Sequence, residues 1–361
     1  QFQMIEDTLL VIQPVSNGPS EKVGILAGDR IVAVNDSAIA GVKMSTEDIM
    51  SRLRGPKDSE VKLTIVRRGV DDQLYFTVKR DKIPILSLDA SYMIQPKTGY
   101  IRINRFGATT AEEFAEALKS LQKKGMKDLI LDLQGNGGGY LNAAIDLANE
   151  FLKQKELIVY TEGRAARRSD FFAKGTGNFK NGRLIILVDE YSASASEIVT
   201  GAIQDWDRGV VVGRRTFGKG LVQRPIDLPD GSMIRLTIAR YYTPSGRCIQ
   251  KPYDSTANLD GRLTGENSQD KYNQELIDNE KFEIDDNFLA EIRTLADKEK
   301  IKFDEKQYNQ SLPLIKTQLK ALIARDLWDM NEYFQVMNST NQSVQQALKV
   351  LNEGIYSTII Q

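Results

Sequence analysis

The feature that most limits what this chain can fold into is a change of pattern near residue 190. Leu184-Ile185-Ile186-Leu187-Val188 is an unbroken apolar run, too short for a helix and rich in β-branched residues, so it reads as a buried strand. Ile198-Val199-Thr200-Gly201-Ala202-Ile203 reads as the first turns of a buried helix. Between them lies Ser192-Ala193-Ser194-Ala195-Ser196-Glu197. The serines therefore sit where a strand turns into a helix. Amides at such a turn lack partners, and the helix dipole favours negative charge. A serine oxygen placed there can attack a carbonyl, and the neighbouring amides can hold the resulting oxyanion.

A hydroxyl needs a base to become a nucleophile. The chain contains no histidine, which excludes a Ser-His-Asp triad. Lysine is the usual substitute where burial favours its neutral form. Lys219 lies in Thr216-Phe217-Gly218-Lys219-Gly220, directly after the apolar run Val210-Val211-Val212-Gly213. Its flanking glycines let backbone pack close to the amine, and Phe217 is expected to keep water away. Taken singly, the serines read equally well as helix caps and the lysine as a turn residue. Gly213 to Lys219 nearly matches the phosphate loop, but Gly220 stands where Ser or Thr would hold magnesium, and Leu221-Val222-Gln223 continues as a strand. A nucleotide site is therefore rejected.

Together, Ser194-Ala195-Ser196-Glu197 and Thr216-Phe217-Gly218-Lys219-Gly220 resemble the carboxyl-terminal processing (tail-specific) proteases, the S41 family of serine endopeptidases. The resemblance implies Ser194 as nucleophile and Lys219, twenty-five positions later, as base. It implies Gln223 as the orienting third member and Asp205 as a supporting acid that some members need. Ser192 and Ser196 are then capping or packing residues. Gly135-Asn136-Gly137-Gly138-Gly139 fails as a dinucleotide fingerprint, because Tyr140 occupies the sixth position. It is similar to the family's D-L-R-x-N-P-G-G segment, with Gln134 for Arg and Gly137 for Pro. The resemblance then implies an oxyanion hole built from the amide of Gly138 or Gly139 and that of Ala195.

Residues 1 to about 82 read as a small β-rich module. Leu9-Leu10-Val11-Ile12 and Arg30 to Asn35 read as strands, with a short helix from Gly18 ending near Gly28. Ser45 or Thr46 caps a second helix carrying Ile49, Met50 and Leu53, and Val61, Leu63 and Ile65 alternate as a half-buried strand. Pro19 to Asn35, centred on Ala27-Gly28-Asp29-Arg30-Ile31, resembles a bacterial, circularly permuted PDZ domain. Such domains take an extended peptide C-terminus as an added strand. The groove wall expected here is Phe2, Met4, Ile49 and Leu53, each of which reads equally well as core. The carboxylate-binding glycine loop would precede Gln1, and the abrupt start inside a strand suggests a trimmed N-terminus.

Residues 83 to about 252 alternate strand and helix, which argues for an α/β core whose sheet is at least partly parallel. Tyr100 to Ile103 and Leu129 to Leu133 read as strands. Between them, Thr110-Ala111-Glu112-Glu113 reads as a capping box for a helix with Phe114, Leu118 and Leu121 inward and Gly125 as C-cap. By resemblance, the core is of the crotonase/ClpP-like kind. Residues 253 to 280 are polar, and 285 onward reads as helical. Asp285 or Asp286 is the expected cap of one helix, with Phe288, Leu289, Ile292 and Leu295 along one side. Pro313 is the expected start of another. A last one carries Val344, Ala347, Leu348 and Leu351. These stripes read as core or as a dimer surface, which some family members build from terminal helices.

The division expected is thus a PDZ domain at 1–82, a protease core at 83–252 and a polar linker with a helical C-terminal region at 253–361. A net charge of −1 gives no argument for nucleic-acid or anionic-membrane partners, and no nucleic acid is expected. The single cysteine, Cys248, permits no internal disulfide, and no apolar run reaches membrane-spanning length. The resemblance implies no cofactor and no metal, protein or peptide substrates with free apolar C-terminal tails, and work outside the cytoplasm, in a bacterial periplasm. It leaves open a homodimer and an activating partner. The rival reading is a non-catalytic tail-binding scaffold on the same fold. An acyl-CoA enzyme of crotonase shape lacks a nucleotide site.

Overall fold

A computed structural model describes residues 2–5, 7–15, 18–83, 85–251, 284, 286–298 and 303–360. The polar stretch expected at 253–280 and the Asp285 cap lie outside these residues, as does the side chain of Leu295. The chain forms two compact units, Gln1–Ile85 and Leu86–Gln361.

The first unit is a β-sheet with two helices. Its elements are β1 (Phe2–Ile5), β2 (Thr8–Val11), α1 (Pro19–Lys22), β3 (Arg30–Val34), β4 (Ser37–Ala38), α2 (Thr46–Leu53), β5 (Glu60–Val66) and β6 (Leu74–Lys79). The strands lie in the order β1-β2-β3-β5-β6, with β4 on β3, all antiparallel. Val61, Leu63 and Ile65 point into the core at alternate positions of β5, as their spacing requires. Ser45 caps α2 by accepting the Asp48 amide at 3.1 Å. The helix opening at Gly18 is shorter than expected. It makes one turn, and Gly24 and Gly28, both in left-handed backbone, carry the chain round to β3.

The second unit opens with β7 (Leu88–Gln95), β8 (Thr98–Ile103), α3 (Thr110–Lys123), β9 (Asp128–Asp132) and α4 (Leu141–Asn149). It continues through β10 (Leu157–Glu162), β11 (Ser169–Phe172), β12 (Leu184–Val188), α5 (Ala195–Asp205) and β13 (Val210–Gly213). The hairpin β14 (Leu221–Asp227) and β15 (Met233–Tyr242) follows. The central sheet has the order β13-β12-β9-β8-β7; its last pair is antiparallel and the rest are parallel. A second sheet has the order β11-β10-β15-β14. The helices α6 (Asp286–Lys298), α7 (Glu305–Leu327), α8 (Met330–Asn338), α9 (Gln342–Asn352) and α10 (Tyr356–Ile359) complete the unit.

Why β12 lacks alternation is now visible. Leu184, Ile186 and Val188 face α3, α4 and α5, while Ile185 and Leu187 face α9. A strand covered on both sides must be apolar throughout. Val344 and Ala347 of α9 are fully buried against the sheet, so this stripe is core. Burying one such side chain contributes about 1.5–3 kcal/mol.

Two expected helix starts move. At α3 the N-cap is Thr109, without a side-chain cap. Glu113 accepts the Thr109 hydroxyl at 2.6 Å with one carboxylate oxygen and the Ser87 and Leu88 amides at 2.9 and 3.1 Å with the other, where the chain enters β7. Thr110 accepts the Gly107 amide and donates to Ser87. The carboxylate thus serves amides that would otherwise be buried without partners. Pro313 lies inside α7, which begins at Glu305 with Asp304 accepting the Gln307 amide.

Candidate active site

The serine turn follows β12 directly. Ser194 is the N-cap residue of α5 and adopts φ 58°, ψ −110°, a backbone region that costs a non-glycine residue about 1–3 kcal/mol. Its neighbours hold it there. Ser192 accepts the Asp189 amide at 2.9 Å and donates to the Leu133 carbonyl at 2.8 Å. Ser196 donates to the Asn136 carbonyl at 2.9 Å, and that carbonyl also accepts the Ala193 amide. The Asp189 carboxylate accepts the Gly135 amide. Ser192 and Ser196 therefore join the serine turn to the glycine loop.

Asn136 organises that loop from within. It is fully buried, donates to the Ile103 carbonyl at 2.9 Å and accepts the Gly138 amide at 2.9 Å. One of the expected oxyanion donors is thus engaged by a side chain. The amides of Gly139 and Ala195 make no hydrogen bond among the described residues. Gly138 sits at φ +97°, and a Cβ on it would lie 2.7 Å from the Ala193 oxygen, 2.8 Å from Ser194 Cβ and 3.0 Å from the Ala195 nitrogen. Only a bare backbone comes this close to the serine and the Ala195 amide.

The lysine loop meets the serine turn at one side chain. Glu197, 5% exposed, accepts four hydrogen bonds. Its Oε1 takes Thr216 Oγ1 at 2.8 Å and the Gly218 amide at 2.6 Å. Its Oε2 takes the Ser194 amide at 2.8 Å and the Lys219 amide at 2.9 Å. The backbone nitrogens of Ser194 and Lys219 are thus no farther apart than these two bonds laid end to end. Glu197 received no role from the sequence, although Ser194-x-x-Glu197 has capping-box spacing, the signal that would have found it. Asn136 carried a signal too, since asparagine between glycines folds its side chain onto nearby backbone.

The lysine side chain departs from expectation. It is exposed, and its ammonium makes no hydrogen bond or ion pair among the described residues. Phe217 is 60% exposed and does not shield it. The loop spends its inward-facing amides on Glu197, which turns these side chains outward. Gln223 lies exposed on β14, beside a bulge and opposite Thr237, and does not meet Lys219. A cavity of about 380 Å³ opens beside the loop, between Thr216–Gly218, the Thr200 face of α5 and the segment Cys248–Lys251 after β15. Neither Ser194 nor Lys219 lines it.

Asp205 lies at the far end of α5, about 15 Å from its start at 1.5 Å per residue. It accepts the Ser245 amide and hydroxyl and pairs with Arg247, fastening the turn after β15. Burial alone would raise its carboxyl, but hydrogen bonds from Thr243, Ser245 and Arg247 outweigh that and hold it below the usual value. In the first unit, Ile49 is fully buried core and presents no wall to a peptide. Phe2, Met4 and Leu53 are half-buried against the same core, and β1 is an edge strand.

Comparison with known proteins places the chain. The family model for peptidase family S41 matches residues 97–256, one for the PDZ domain matches residues 10–67, and one for a family of unknown function matches residues 268–329. The carboxy-terminal processing protease CtpB of Bacillus subtilis is 35% identical over 69% of this chain and 52% of its own length. The carboxyl-terminal-processing protease of Synechocystis is 38% identical over 67% of this chain and 57% of its own length. This chain therefore spans between half and three fifths of these two relatives. The carboxy-terminal-processing protease of Bartonella bacilliformis is 35% identical over 75% of this chain and 67% of its own length. A chain carrying the serine turn, glycine loop and lysine loop described above, and matching that relative over two thirds of it, belongs to peptidase family S41, with a PDZ domain ahead of the protease core.

Proposed function

We propose that this protein is a serine endopeptidase acting on proteins or peptides with unstructured, apolar C-terminal tails. Ser194 is the nucleophile and Lys219 the base. Neutral Lys219 takes the hydroxyl proton, Ser194 Oγ bonds to the scissile carbonyl carbon, and the carbonyl π electrons move onto its oxygen. The tetrahedral intermediate collapses as the C–N bond breaks, and Lys219 returns the proton to the departing amine. Water then hydrolyses the acyl-enzyme by the same route. Ala195 and a glycine amide, Gly139 or Gly138 released from Asn136, hold the oxyanion. Gln223 takes up the orienting role only after the lysine side chain has swung inward. The division proposed is PDZ domain, protease core and helical C-terminal region, with the PDZ groove taking the tail as an added strand along β1. Action outside the cytoplasm belongs to the same proposal.

The observation that carries this reading is the shared Glu197 carboxylate, which binds the Ser194 and Lys219 amides on one oxygen. That contact ties the two loops together, and the reading requires the exposed lysine side chain to swing onto Ser194. The same exposure favours one second reading, a tail-binding scaffold that does not cleave.

The experiment is cleavage of an unfolded protein ending in an apolar tail, with wild type, Ser194→Ala and Lys219→Ala compared. Both variants should be inactive while folded and still binding the tail. Tail binding by a wild type that cuts nothing, with or without added tail peptide, supports the scaffold.

A further inference from the structure

We infer that Gln134 is a positioning residue through which the C-terminal helices set the glycine loop; this deepens the proposed proteolytic reading and rests on it. Gln134 stands where β9 ends and the loop begins, and it is held at every polar atom. Its amide donates to Asp132 at 2.8 Å, and its carbonyl accepts from Arg102 at 2.8 Å. Its side-chain oxygen accepts from Asn341 at 3.2 Å, and its side-chain nitrogen donates to Ser343 at 3.3 Å. Asn341 is the N-cap of α9, some two hundred residues away in sequence, and its own oxygen accepts the Ser343 and Val344 amides.

The backbone clamp on Gln134 leans on the same helices. Asp132 is fully buried and receives Tyr100 and Arg102. The Arg102 guanidinium lies 4.8 Å from the ring centre of Phe334 on α8. Asn338 at the end of α8 donates to Tyr92, whose ring packs 5.2 Å from that of Tyr100. A buried polar network of this kind has few alternative arrangements, because each broken bond leaves a desolvated group unpaired. From Gln134 the loop runs through Gly135 on Asp189 and Asn136 on Ile103 to Gly138, whose backbone lies against Ser194. Displacing α9 therefore loosens the loop at its root, without touching Ser194 or the peptide-binding unit.

Two substitutions separate this from a general loss of fold. Gln134→Leu removes both side-chain bonds and leaves the backbone clamp. Asn341→Ser keeps a capping residue on α9 but is too short to reach Gln134. Gln134→Glu still accepts from Asn341 and Ser343 and serves as the rescue. Amide exchange over residues 135–140 should quicken about tenfold in the first two and return toward wild type in the third, with α9 still protected. On a tail substrate, kcat should fall about tenfold with KM within about twofold, because what is lost is aim at the transition state. Unchanged exchange over 135–140 in both variants overturns the coupling. Faster exchange with unchanged kcat overturns the positioning role. A wild type that cleaves nothing fails the proteolytic reading, and the exchange result still decides the coupling.

Discussion

In the serine turn, Ser192, Ser196, Asp189 and Asn136 fix the backbone to the neighbouring glycine loop. In the lysine loop, Glu197 takes two amides and one hydroxyl, the Phe217 amide reaches the Ser192 carbonyl, and the Lys251 amide reaches the Gly218 carbonyl. The side chains differ more than the backbones. The residues flanking Ser194, from Ser192 and Ala193 to Ala195, Ser196 and Glu197, are buried, whereas Lys219 and Phe217 stand in solvent. Nucleophile and oxyanion donors are set in advance on this reading, and the base is the part that arrives.

The largest effects come from the dyad itself. Ser194→Ala and Lys219→Ala should each lower kcat/KM by about 10⁴ or more. Lys219→Ala should melt close to wild type, since an exposed lysine away from any partner changes stability by about 0.5 kcal/mol or less. Steady-state cleavage and a melting curve on both variants check this. Lys219→Ala with a tenth of wild-type activity would break the contrast, because the exposed arm would then not be the base.

Gly138→Ala comes next. The new methyl meets the Ala193 oxygen at 2.7 Å and Ser194 Cβ at 2.8 Å, in backbone that disfavours a side chain. The serine turn cannot yield without losing its bonds to Asn136 and Leu133, so the glycine loop moves away from Ala195. A loss of one oxyanion donor corresponds to about 10²–10³ in kcat. Wild-type activity in this variant would mean that the packed side is less rigid than its hydrogen bonds indicate.

The same contrast explains what was legible in the sequence. Repeating apolar patterns gave the elements: Leu184 to Val188 as a buried strand, Phe114, Leu118 and Leu121 as a helix face, Val61, Leu63 and Ile65 as a half-buried strand. Ser194, Lys219 and the glycine loop were legible as motifs. The fastenings between them were not, because each joins residues distant in sequence. Glu197 reaches Lys219, Ser196 reaches Asn136, and Gln134 reaches Asn341. A spacing rule sees Thr110 and Glu113 as a capping box, whereas Glu113 turns to the entrance of β7. Exposure is likewise set by where the loop's amides point, so Phe217 could not be placed from sequence.

Glu197→Gln sharpens the comparison at its one shared atom pair. The amide keeps one acceptor and turns two N–H donors toward the donors that the second carboxylate oxygen served. Unpairing buried amides costs about 1–3 kcal/mol each. Exchange should quicken over 216–220, where Glu197 is the main anchor, and change less over 133–139, where Asn136 and Asp189 remain. A fall in kcat of about tenfold to a hundredfold should accompany it. Equal loosening of both loops would show that the two sides are one cooperative unit.

The smallest effect concerns Asp205, and it separates support of the fold from support of catalysis. Its carboxyl is buried yet held below its usual value by Thr243, Ser245 and Arg247. A carboxyl held low stabilises the fold above its unfolded-state pKa, about 4, and that contribution disappears as pH falls through the lower folded value. Asp205→Asn should therefore melt lower than wild type at pH 7, by about 1 kcal/mol or less given the exposed Arg247 partner. The gap should close as pH drops below about 4, where wild type loses the same charge. Melting curves from pH 7 to pH 3 measure it. A gap that stays constant across that range would remove the carboxylate from the account. A fall in kcat at pH 7 without any fall in melting temperature would assign Asp205 to the chemistry, although it sits at the opposite end of α5 from Ser194.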